Sequence, residues 1–252
     1  MCDVRLYEKI NESDHVRWAV ANAVDIHLLM IHHARVKLVA TQLPEADVIV
    51  DLGGAAGSIY AMGYPHHFKK LLVVDLPPPN RHEMYRDMEM TNLMTPQGPI
   101  STLFTSMSDL RAIPSNSVDL VWAGQSIEHI SRAEATTAYR EIVRILKPGG
   151  RFCLDTPNRL LTEIHTGGPQ LIHPEHKIEY YPADLQSDLR SAGFTIMRQL
   201  GVVEMIETRR SGRIDYRDFY TGAGLSENLD GSYIQYYDCA ITPPTDRAPL
   251  QP

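Results

Sequence analysis

Residues Val48 to Gly57 read V-I-V-D-L-G-G-A-A-G, an apolar run that ends at a carboxylate, Asp51, and turns through glycines. Such a run is a buried strand, and a strand feeding a glycine-rich turn and then a helix N-terminus makes a ligand cradle at the carboxyl edge of an α/β sheet. The acid restricts the ligand. A carboxylate just before the turn repels a pyrophosphate and attracts a molecule carrying an ammonium and a sulfonium. Glycine spacing agrees: Gly53, Ala55 and Ser58 hold the glycine positions of the dinucleotide fingerprint, and of these only Gly53 is glycine. The pattern that fits is D-x-G-x-A-x-G, with Asp51, Gly53 and Gly57 matched.

This stretch resembles the first motif, D-x-G-x-G-x-G, of the class I S-adenosylmethionine-dependent methyltransferases, with Ala55 in place of the middle glycine. The extra methyl fits if Ala55 keeps φ negative, and it narrows the methionine end of the pocket. The resemblance implies S-adenosyl-L-methionine as cofactor and S-adenosyl-L-homocysteine as product, held by Asp51, Gly53, Gly54, Ala55 and Gly57. Lys70 to Leu76 (K-L-L-V-V-D-L) is a second buried strand, and its Asp75 lies roughly twenty residues past the turn, where a ribose-binding carboxylate belongs. Leu76 supplies an apolar face for the adenine. Thr102 to Met107 is the expected third strand, followed by Ser108, Asp109 and Leu110. In the resembling family an acid here takes the adenine amino group and the next backbone N–H reaches the ring, which makes Asp109 the adenine reader with Ser108 and Leu110 beside it.

Ser117 to Ala123 is the expected fourth strand, and it runs into Gly124-Gln125-Ser126-Ile127-Glu128-His129-Ile130. Asp119 lies at the start of that strand, away from the ligand edge, and is expected to cap or pair there. Gln125 joins the cofactor-binding set. Some quinone-pathway O-methyltransferases carry E-x-x-E-H at this position and hold a divalent metal with it; here Gln125 replaces the first acid, and no metal is expected. Ser131 and Glu134 form a capping box for a helix whose apolar face is Tyr139, Ile142, Val143 and Leu146, stopped by Lys147-Pro148-Gly149-Gly150. Arg151 to Asp155 is the fifth strand, and Asp155 and Asn158 at its exit are either substrate-side groups or turn residues. Pro182 opens a helix closed by Gly193, Phe194 to Leu200 is a strand, and Ser232 to Thr242 is a final β-rich strand pairing with it as a hairpin.

The expected architecture is therefore α/β: a Rossmann-like, seven-stranded, doubly wound sheet with an antiparallel final strand and an N-terminal helical extension. Residues 1–46 form the extension, 47–242 the methyltransferase domain and 243–252 a disordered tail. Val16 to Leu43 reads as a long helix with Val16, Val20, Val24, Leu28, Ile31 and Leu38 on one face, and its His27, His32 and His33 are surface or core groups rather than a metal triad. Glu207 to Gly231 is long and polar, with Arg213, Tyr216 and Tyr220 either lining the pocket or decorating a mobile lid.

Methyl transfer is an in-line displacement at a sulfonium carbon, so the protein aligns the nucleophile, excludes water and takes a proton from a hydroxyl acceptor. His129 is the first candidate base because the fourth strand aims it at the ligand edge. His173 and His176 are the second, in a run whose H-x-x-H-x-x-x-Y-x-x-x-D-L shape resembles substrate-proximal loops of family members acting on sugars or glycolipid precursors; the plain alternative is a polar surface loop. The expected activity is O-methylation of a small molecule or sugar-like metabolite. A non-catalytic cofactor-binding partner subunit and N-methylation of a small metabolite are the alternatives.

Bulk properties are consistent with this. The chain has 252 residues and a net charge of -7, with no basic stripe to neutralise phosphates, so nucleic acid is not an expected partner. No apolar run approaches membrane-spanning length and the first residues are polar. Cys2, Cys153 and Cys239 are widely spaced, which suits reduced thiols in a cytoplasmic protein. The tyrosine-rich final strand could form an edge contact between copies, so an oligomer is open.

Overall fold

In the computed structural model, residues 23–54, 57–80 and 92–241 are described; Ala55, Val16 and Val20 of the expected N-terminal helix, Cys2 and the tail lie outside them. A helix, α1 (Ala23–Gln42), precedes β1 (Val48–Leu52), and the glycine turn leads to one helical turn, α2 (Ser58–Ala61). Next come β2 (Lys70–Asp75), β3 (Leu93–Met94), β4 (Pro99–Phe104), β5 (Val118–Gly124), α3 (Arg132–Ile145), β6 (Leu146–Pro157), α4 (Arg159–Thr166) and α5 (Pro182–Ser191). The chain closes with β7 (Phe194–Glu204), α6 (Ile206–Ser211), α7 (Asp218–Thr221), β8 (Leu225–Ser226) and β9 (Ser232–Ile241).

One sheet holds all these strands in the order β3-β4-β2-β1-β5-β6-β9-β7-β8. The pairs β1–β2, β1–β5, β2–β4 and β5–β6 are parallel, and β9 inserts antiparallel between β6 and β7. The expected seven-stranded plan is thus present, and the two further strands, β3 and β8, are two-residue edges antiparallel to β4 and β7.

The side-chain period of two explains why the sheet is covered on both faces. Ile49, Trp122, Cys153 and Tyr236 join one buried cluster with Leu38 and Val39 of α1, while Val50, Val121, Phe152 and Tyr237 join the other with Tyr139 and Ile142 of α3 and Leu185 and Leu189 of α5. Adjacent residues of one strand therefore serve different cores. That is why these strands read as continuous apolar runs rather than alternating ones.

Several boundaries differ from expectation. The third long strand spans Pro99–Phe104 rather than Thr102 to Met107, because Ser106 starts a turn in which its hydroxyl meets the Ser108 hydroxyl at 2.8 Å and Asp109 N–H donates to its carbonyl at 2.9 Å. Strand β6 is longer than Arg151 to Asp155; its pairing with β5 slips between Val118 and Leu120, which absorbs the Pro148-Gly149-Gly150 corner. The capping box is as expected: Ser131 N–H donates to the Glu134 carboxylate at 2.8 Å, and Glu134 N–H to Ser131 Oγ. In α1 the buried stripe is His27, Ala34 and Leu38, and Leu28 faces solvent at 59% exposure, so the apolar face is rotated from the one Leu28 suggested. Residues 207–231 carry two short helices that pack on the body of the domain. Asp218, buried, accepts from the N–H groups of Glu207 and Thr208, and Tyr216 and Tyr220 pack on the core.

Candidate active site

The turn after β1 is built around Asp51. Gly53 takes φ +69° and donates its N–H to Val74 O at 2.8 Å, locking the turn to β2, and a Cβ there would lie 2.7 Å from that of Ser126. Gly57, φ +80°, caps α2. A Cβ on Gly54 would stand 2.4 Å from the Asp51 carboxylate, so the turn's glycines are what let the acid lie beneath it. Asp51 is fully buried; one oxygen accepts from Ile59 N–H at 3.1 Å and Ser58 Oγ at 3.3 Å, and Oδ1 has no hydrogen-bond partner among the described residues. Desolvation pushes its carboxyl up to about 7, against those two hydrogen bonds.

Asp75 ends β2 half-buried, accepting from Leu76 N–H at 2.7 Å, and Leu76 is 41% exposed, an uncovered apolar face beside it. Asp109 faces solvent and is gripped by Arg111 through Nε and Nη2, both at 2.8 Å, which holds its carboxyl down at about 2. An adenine amino group reaching Asp109 would have to share it with that guanidinium. Ser108 borders the same shallow surface depression as Asp109 and Arg111. The Leu110 side chain is in the core and its carbonyl accepts from Arg144, which leaves only its backbone N–H for the role expected of it. Gln125 has φ +52°, costly for a residue with a Cβ, and its Nε2 is buried without a partner among the described residues.

Sequence reasoning missed Arg35. From α1 it crosses to β6 and pairs with the fully buried Asp155, Nε to Oδ2 at 2.5 Å and Nη2 to Oδ1 at 3.1 Å, with Glu128 and Asp51 also acting on its charge. Buried carboxyls from β1, β6 and the turn after β5 therefore all act on the Arg35 guanidinium, and Asp155 is the one in contact with it. The helical spacing of α1 carries no sign of this, because Arg35 differs from other helix cations only in what lies opposite. Asn158 is not a substrate group: its amide donates to Leu229 O and Ser232 O, and its Oδ1 caps α4 at Leu160 N–H. Asp119 pairs with Lys147 at 2.7 Å and accepts from Val48 N–H, as expected of it.

The three candidate histidines come from two distant segments and meet. The ring of His129 lies 4.9 Å from that of His176 and 6.2 Å from that of His173, in edge-on arrangements. Their meeting is enforced by the backbone: the N–H groups of Lys177 and Ile178 both donate to Glu128 O, at 2.7 and 3.2 Å. Burial, with His176 and His173 beside it, pushes His129 down to about 4, so it is neutral at pH 7. Glu128, fully buried, accepts from Thr156 Oγ1 at 2.9 Å; desolvation pushes its carboxyl up to about 7. His176 shares a 2.7 Å hydrogen bond through Nδ1 with Glu179, itself buried and held by Thr162, Arg159 and Ile172 N–H. The helix histidines separate: His27 is core, packed edge-on against His165 and Tyr216, and His33 is exposed. Cys153 and Cys239 are buried free thiols, and no described helix is long and apolar enough to cross a membrane.

A family model described as a methyltransferase domain matches residues 50–154, the span from the glycine turn to β6. A Mycolicibacterium smegmatis protein described as a probable S-adenosylmethionine-dependent methyltransferase is 37% identical over 146 residues, 54% of this chain and 55% of that one, so the match spans about half of each. Among solved structures, a SAM-dependent methyltransferase of Thermotoga maritima, described as a possible histamine N-methyltransferase, matches with a TM-score of 0.59 at 14% identity over 90% of this chain and 94% of that one. A SAM-dependent methyltransferase of Archaeoglobus fulgidus matches with a TM-score of 0.58 at 15% identity over 82% and 91%. At those identities the structures speak for the fold. The sequence matches are thus a likeness to a methyltransferase domain over residues 50–154 and about half of the chain, and the solved methyltransferases share its fold.

Proposed function

We propose that this protein transfers the methyl group of S-adenosyl-L-methionine to an oxygen of a small, sugar-like metabolite. The observation that carries the cofactor reading is the excess of acid groups acting on Arg35: Asp51, Glu128 and Asp155 are all buried, and the carboxyls of Asp51 and Glu128 are pushed up to about 7 for want of a compensating cation. A ligand with an ammonium and a sulfonium offsets that excess, and an anionic pyrophosphate would enlarge it. In this reading Asp51, Gly53, Gly54, Ala55, Gly57 and Gln125 hold the methionine end, Asp75 takes the ribose hydroxyls, Leu76 covers the adenine, and Ser108, Asp109 and Leu110 face its edge.

The acceptor reading rests on the histidine cluster. An alcohol loses its proton reluctantly and benefits from a positioned base or cation, and His129, His173 and His176 supply a polar, half-buried wall for one. Calorimetric titration with S-adenosyl-L-homocysteine is expected to give one site per chain and at least about tenfold weaker binding in Asp75→Ala, since losing a paired ribose contact costs about 1.5–3 kcal/mol. No binding by the intact protein would overturn the cofactor reading. Transfer of labelled methyl to a panel of sugars, phenols and amines, with the product analysed for ether or amine linkage, tests the acceptor; turnover of amines alone would overturn the oxygen assignment.

A further inference from the structure

Glu128, His129 and His176 offer ligand atoms that all lie within 4.8 Å of one another. Ion–ligand bonds of about 2.0–2.2 Å put tetrahedral ligands of one ion about 3.3–3.6 Å apart, so closing the set requires each ligand atom to move inward by up to about 0.7 Å. Two further observations point to a ligand there. Thr156 occupies Oε2 of the fully buried Glu128, while Oε1 has no hydrogen-bond partner among the described residues. His176 is held from one side, because its Nδ1 is engaged by the buried Glu179, which leaves Nε2 as the ring nitrogen to ligate an ion. A carboxylate behind a histidine is the arrangement that fixes the tautomer and raises the basicity of a metal-ligating imidazole.

We propose that Glu128, His129 and His176 bind a divalent first-row transition ion, with Glu179 as the positioning residue behind His176. Two imidazoles and one carboxylate favour zinc, manganese, iron or cobalt over magnesium and leave coordination positions open. Two of the ligands, His129 and His176, belong to the histidine wall assigned to the acceptor, so an ion held there would receive adjacent oxygens of a polyhydroxylated acceptor. This role rests on the methyl-transfer reading; the ion site itself does not. The donor set departs from the expectation of no metal because His176, from a loop far along the chain, joins Glu128 and His129 where Gln125 cannot supply the first acid.

The test is titration of the metal-free, tag-free protein with cobalt(II) chloride, read by visible absorption and calorimetry, alongside S-adenosyl-L-homocysteine binding of the same samples. One cobalt per chain with d–d bands is expected, weakened at least about tenfold in His176→Ala and in Glu128→Gln, and weakened less in Glu179→Gln, with homocysteine-product binding retained in His176→Ala as the check on folding. Absence of cobalt, zinc and manganese binding up to millimolar concentration would overturn the site, as would undiminished cobalt binding in a folded His129→Ala, His176→Ala double variant. Because product binding is read separately, loss of the metal site leaves the methyltransferase reading standing, and the reverse holds too.

Discussion

Burial makes Asp51 a coupling point between protonation and cofactor binding. Its carboxyl, pushed up to about 7 in the free protein, is about one-tenth ionised at pH 6 and about nine-tenths at pH 8. If the ammonium and sulfonium are received by the ionised form, binding at pH 6 releases close to one proton per cofactor, and affinity rises about tenfold, or about 1.4 kcal/mol, from pH 6 to pH 8. The cofactor's own amino group titrates near 7.7–8.0, so the comparison is with Asp51→Asn, in which that ligand contribution remains and the carboxyl's is gone. Stability should follow the same group. A carboxyl raised in the fold above its ordinary 3.8 favours the native state fully below about pH 4, and that advantage disappears as pH climbs through 7. Between pH 4 and 8 the parent should lose on the order of 4 kcal/mol relative to Asp51→Asn, at 1.36 kcal/mol per pH unit. Calorimetry in two buffers of different ionisation enthalpy counts the protons, and urea melts across pH read the stability. Identical proton release and identical pH slopes in parent and variant would refute the reasoning.

Arg35→Ala leaves Asp155, which is fully buried, without its bidentate partner, and is expected to cost about 3–5 kcal/mol in urea unfolding, largely restored by pairing Arg35→Met with Asp155→Asn; a loss under about 1 kcal/mol would mean that the pair is solvated. Asn158→Ala removes a helix cap and the amide donor to the Leu229 and Ser232 carbonyls, so about 2–4 kcal/mol of stability should go, whereas an unchanged melting curve combined with a raised acceptor KM would return Asn158 to the substrate side.

The sequence by itself determined the parts whose physics is local. The carboxylate-then-glycine turn at Asp51, Gly53 and Gly57, the capping box at Ser131 and Glu134, and proline at the start of α5 are decided by neighbours a few residues away, so reading along the chain finds them. Continuous apolar runs also announced a sheet covered on both faces. Short edge strands such as β3 and β8 escaped because two residues carry no period, and the rotated face of α1 escaped because packing against β7 and α7, rather than the Leu28 row, chose which side is buried. The chemistry of the site is mostly non-local. Each histidine was visible singly, but their meeting depends on Glu128 O capturing Lys177 and Ile178, and the value of Arg35 depends on three acids brought in from separate strands and turns. Charge energetics vary steeply with distance and burial, and both quantities come into being only when the sheet edges converge.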